Sequence, residues 1–60
     1  MTALDEALTA YRCACDAERG VKIRHYSYGT ATRAELDVAR SDRLAAREAL
    51  DRAVEAGEDR

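Results

Sequence analysis

A chain of 60 residues with a net charge of −2 and 37% charged residues is one small domain with both signs of charge interleaved. That balance argues against a strongly basic nucleic-acid binder and against an acidic DNA mimic. The 47% apolar fraction overstates the core, because 13 of those residues are alanine and neither Phe nor Trp is present; a domain this small hides only ~60% of its unfolded surface, so partners are expected to complete it.

The first predicted element is a helix over residues 2–19. Thr2 is a suitable N-cap, and Asp5 and Glu6 fall in the first turn, where the helix dipole favours acids. Leu4, Leu8, Tyr11 and Cys15 then recur at spacings of four, three and four, an amphipathic stripe flanked by Ala7 and Ala14. Cys13 and Cys15 stand two apart, on nearly opposite sides of a helix, so they are expected to stay reduced and structural. Gly20 after Arg19 occupies the place of a helix-terminating glycine.

Residues 20–31 change period. Val21 and Ile23 alternate with Lys22 and Arg24, and Tyr26 and Tyr28 continue in strand-favouring residue types, with Gly29 as the turn candidate. The stretch predicts a short β-hairpin or extended insert. A lone hairpin is barely stable in water, so it should lie on the helices or pair with a neighbour.

The last element is a helix over residues 32–56. Thr32-Arg33-Ala34-Glu35 is a capping box, and Leu36, Ala39, Ala46, Leu50 and Ala53 follow at three-to-four spacing with no Gly or Pro before Gly57. At roughly 37 Å it should overhang its shorter partner. Residues 57–60 are polar and expected to fray. The fold class is therefore mainly α: a single domain, residues 1–60, of two antiparallel helices, the second longer, joined by a short β insert.

No chemistry can be assembled. The carboxylates fall on helix faces beside arginines, Ser27, Ser41, His25 and the cysteines show no spacing that pairs nucleophile with base, and there is no phosphate-binding glycine loop or zinc spacing. We expect no enzyme, no cofactor and no metal, and a soluble chain with no signal-peptide core or bilayer-spanning run. On a helical wheel Arg33, Arg40, Arg43 and Arg47 cluster beside Leu36 and Val54. Their stems can cover the apolar stripe while their heads reach water or Glu18; they can meet carboxylates of another subunit; or they can hold phosphate, against the diluting field of Asp37, Asp42, Glu48 and Asp51.

The motifs Leu8 and Tyr11, Gly20, Tyr26-Ser27-Tyr28-Gly29 and Thr32-Arg33-Ala34-Glu35-Leu36 together resemble the small head-to-tail joining proteins of tailed phages, the phage lambda W type, and similar small phage-encoded helix–β–helix proteins. The resemblance implies a virion structural protein. Copies would form a homo-oligomeric ring at the neck between portal and tail, made in the host cytoplasm, with packaged DNA nearby. Tyr26, Tyr28, Arg33, Arg40, Arg43, Arg47, Leu50 and Val54 are then the expected partner interface. A different class remains open: a small phage-encoded inhibitor whose long amphipathic helix occupies a groove of a host protein. Weak nucleic-acid binding through the arginine row is a third.

Overall fold

The computed structural model describes residues 2–58, Glu58 by its backbone alone. Helix α1 spans Ala3–Ile23, runs directly into a π-helical turn over Arg24–Tyr28, and is followed after a four-residue connection by helix α2, Arg33–Glu58. The chain is mainly α, as expected, and the two helices form a hairpin. Contacts between Glu18 and Arg43 at one level, and Leu4 beside Ala53 and Gly57 near the open end, fix the antiparallel arrangement.

Local capping sets both helix starts. The Thr2 hydroxyl accepts from the Asp5 amide at 3.1 Å and the Asp5 carboxylate accepts from the Thr2 amide. At α2 the Thr32 hydroxyl accepts from the Glu35 amide at 3.2 Å, and the Glu35 carboxylate accepts from the Thr32 amide at 3.0 Å. Each box satisfies two amide donors that a helix start otherwise leaves open.

The β insert is not there: among the described residues no strand exists. Gly20 does not end α1. It lies inside the helix, and the terminating residue is Gly29, at φ 67°, the only positive φ among the described residues. The Gly29 amide and the Thr30 amide both donate to the Arg24 carbonyl, the latter at 2.9 Å, so one carbonyl closes the widened last turn. The alternating β-branched and aromatic residues lose to tertiary packing. Val21 and His25 continue the inward stripe of Tyr11, Ala14 and Glu18 at helical spacing, and as helix their backbone is satisfied without a second strand.

This correction removes the expected overhang. With the π turn added, the first helical arm is 26 residues, the same as α2. Gly57 and Glu58 still belong to α2 rather than to a frayed tail; residues 59 and 60 lie outside the described residues.

The result is a rod of 47 × 17 × 11 Å, one helix thick. Among the described residues the buried apolar ones are Ala31, Leu36 and Ala39, all near the closed end, and no large side chain is fully enclosed. Towards the open end Leu8, Tyr11, Ala46, Leu50 and Ala53 are only half-buried between the helices.

Candidate functional site

Three surfaces can be built upward from this hairpin: the seam between the helices and the two broad faces on either side of it. The seam holds a polar contact in its middle. Arg43 Nε donates to Glu18 Oε1 at 2.8 Å, and Lys22 Nζ lies 3.7 Å from the same oxygen. Glu18 is a buried charged residue, 7% exposed, and its carboxylate is neutralised from both helices, which is the condition for a charge to sit there.

One face is charged. Arg33 pairs with Asp37 at 3.5 Å and Arg47 with Asp51 at 3.2 Å, both one helical turn apart on α2. The Arg47 guanidinium also sits 5.8 Å from the centre of the Tyr11 ring, a cation–π distance. Tyr11 first, and then Asp51, raise the Arg47 pKa above its ordinary value. Tyr26, Arg40 and Arg33 border a shallow depression over Glu18 and Arg43.

The opposite face is apolar. Ala14, Ala17 and Val21 of α1 and Ala34, Val38 and Ala39 of α2 line an open groove of about 640 Å³, with Cys13 in it and Arg24, Glu35 and Asp42 at its margin. Val38 is 60% exposed there. The face continues to the open end, where Ala3, Ala53 and Ala56 line a second depression.

The arginine row is thus divided rather than shared. Arg43 turns inward to Glu18, as its stem-packing account requires. Arg47 is held by Tyr11 and Asp51, and Arg33 by Asp37. Arg40 is exposed and, among the described residues, makes no ion pair. Leu50 packs half-buried in the seam, while Val54 is 41% exposed. Tyr26 and Tyr28, at 70% and 72% exposed, stand out from the π turn at the closed end.

The apolar groove was not read from the sequence. Its signal was present: Ala3, Ala7, Ala10, Ala14, Ala17 and Val21 repeat at four and three, a second stripe beside the leucine one. Alanine counts little in hydropathy, so the stripe passes for filler. Cys13 and Cys15 are free thiols. Among the described residues no cluster of His, Cys, Asp or Glu is placed to hold a metal, and no helix is long and apolar enough to cross a membrane.

Comparison with known proteins finds no matching family model, no matching curated protein and no matching solved structure.

Proposed function

We propose that this chain is a non-enzymatic structural or assembly protein that works in a homo-oligomer, in its most specific form a head–tail connector subunit of a tailed-phage particle. The observation that carries the assembly reading is the thinness of the hairpin. Among the described residues only Ala31, Leu36 and Ala39 are buried apolar residues, and a rod 11 Å thick leaves both broad faces uncovered. A stable domain usually needs two packed layers around a core, and here the second layer is supplied by another subunit.

The non-enzymatic part rests on how the polar groups are used. Glu18, Lys22 and Arg43 neutralise one another, Arg47 and Asp51 do the same, and His25 is engaged with the connection. No nucleophile with a base beside it emerges among the described residues. The virion setting draws on the helical half of the resemblance, Leu8 with Tyr11 and the Thr32 to Leu36 opening; its strand motif is a helical turn in this chain. Partners in that setting are copies of the chain and portal or tail proteins, met in the host cytoplasm and retained in the virion. The rival inhibitor reading, in which the long amphipathic helix α2, Arg33–Glu58, occupies a groove of a host protein, is separated from the connector by the test below.

The test is composition of purified phage particles by mass spectrometry, followed by labelling for electron microscopy. Several copies per particle, located at the neck, support the connector reading. Absence from particles while the protein is abundant in infected cells overturns it.

A further inference from the structure

We infer that the apolar groove between Val21 and Val38 is the docking site of a second copy of this chain, giving a two-fold-symmetric four-helix dimer. The inference rests on the assembly reading above and specifies which face and which partner.

Surface area gives the first argument. A compact monomer of 6.6 kDa exposes about 3,900 Å². This hairpin exposes 4681 Å², about 800 Å² more, so its broad faces carry surface that a compact fold of this mass buries. The radius of gyration agrees: 13.9 Å against about 10 Å for a compact chain of this length.

Charge gives the second, and it selects a copy over an unrelated partner. The groove carries its cation, Arg24, on the first helical arm and its acids, Glu35 and Asp42, on α2. Among the described residues neither Arg24 nor Asp42 makes an ion pair or side-chain hydrogen bond within the chain. A two-fold axis running along the rod lays α1 of each copy over α2 of the other, so the basic edge meets the acidic edge twice. The lining side chains are small, which lets helices approach to about 8 Å and places Val21 and Val38 of both copies in one shared layer. The charged face with Tyr26, Arg33 and Arg40 remains outward.

Sedimentation equilibrium from low micromolar to near-millimolar concentration tests this on the full chain. The wild type is expected as a dimer. Val38→Arg and Ala17→Arg, both at exposed groove positions, are expected to weaken dimerisation at least tenfold with unchanged helical circular dichroism. Leu44→Arg, outside the groove at a site 48% exposed, is expected to leave the dimer intact. Should the groove variants lose helicity, Cys13 in a Cys15→Ala background gives an independent readout. Its maleimide labelling must slow as concentration rises and a second copy covers it. A wild type that stays monomeric, a dimer broken by Leu44→Arg but not by the groove variants, or labelling independent of concentration each overturns the inference. A chain that is monomeric in solution yet present in several copies at the neck of particles overturns the two-fold dimer alone and leaves the connector reading standing.

Discussion

His25 Nδ1 lies 2.8 Å from the Ala31 carbonyl oxygen. A carbonyl only accepts, so Nδ1 carries the proton in this contact. The contact joins the π turn to the residue before the α2 cap, and the Tyr26 ring meets the imidazole edge-on at 4.8 Å. It is a chain reversal secured by a side chain rather than by a β-turn.

Removing that contact should loosen the reversal. His25→Ala is expected to cost about 1–2 kcal/mol, the lost bond plus a part-buried carbonyl left without its donor. Urea unfolding followed by circular dichroism measures it. An unchanged midpoint would mean that Gly29 and the capping box hold the reversal unaided.

The two inner glycines should respond in opposite directions. Gly20 is helical, and a Cβ there meets nothing within 4 Å, so Gly20→Ala should stabilise by about 0.5–1 kcal/mol. Gly29 has equal room but φ +67°, and Gly29→Ala should destabilise by about 1–2 kcal/mol. If Gly20→Ala lowers the melting temperature, Gly20 terminates a helix after all.

The Glu18–Arg43 contact should behave as a buried pair. Glu18→Ala leaves the half-buried Arg43 head without its acceptor and is expected to cost about 1–3 kcal/mol. A double-mutant cycle with Arg43→Ala should return a coupling of about 1–2 kcal/mol. Replacing both by leucine should restore or exceed wild-type stability, since an apolar pair needs no desolvation of charge. A coupling near zero would show that the pair contributes position rather than energy.

Among the described residues Leu36 is the one large buried apolar side chain of the seam, 8% exposed. Leu36→Ala should cost about 2–4 kcal/mol, enough to unfold a domain this small at low concentration. Thr32→Ala, which breaks the α2 capping box, should cost about 1 kcal/mol. In an assembling protein the wild type and both variants gain stability as concentration rises, because association stabilises the folded state by mass action. Melting temperatures across a dilution series check this, and concentration-independent values would argue for a self-sufficient monomer.

Much of the helical content was legible because its determinants are local. Thr2 with Asp5, Thr32 with Glu35, the glycine turn at 29 and the Leu36–Ala39–Ala46–Leu50 stripe all act over three or four residues, the range that sequence spacing reports. What happens between Gly20 and Tyr28 depends on longer reach. Alternating Val21, Ile23, Tyr26 and Tyr28 suit a strand, and only Val21 set beside Ala34, Val38 and Ala39 of α2, with Ala31 placed to accept from the His25 imidazole, makes the helical alternative better. The arginine row shows the same division. Its four members could be found on one helix face, but which of them is engaged was decided by Glu18, 25 residues away from Arg43, and by Tyr11 on the other helix. The sequence by itself determined two capped amphipathic helices and a sharp reversal. Only the tertiary structure decided that the arms are equal in length, that the buried charge closes on itself, and that the alanines share an open face, because each follows from residues brought together across the seam rather than along the chain.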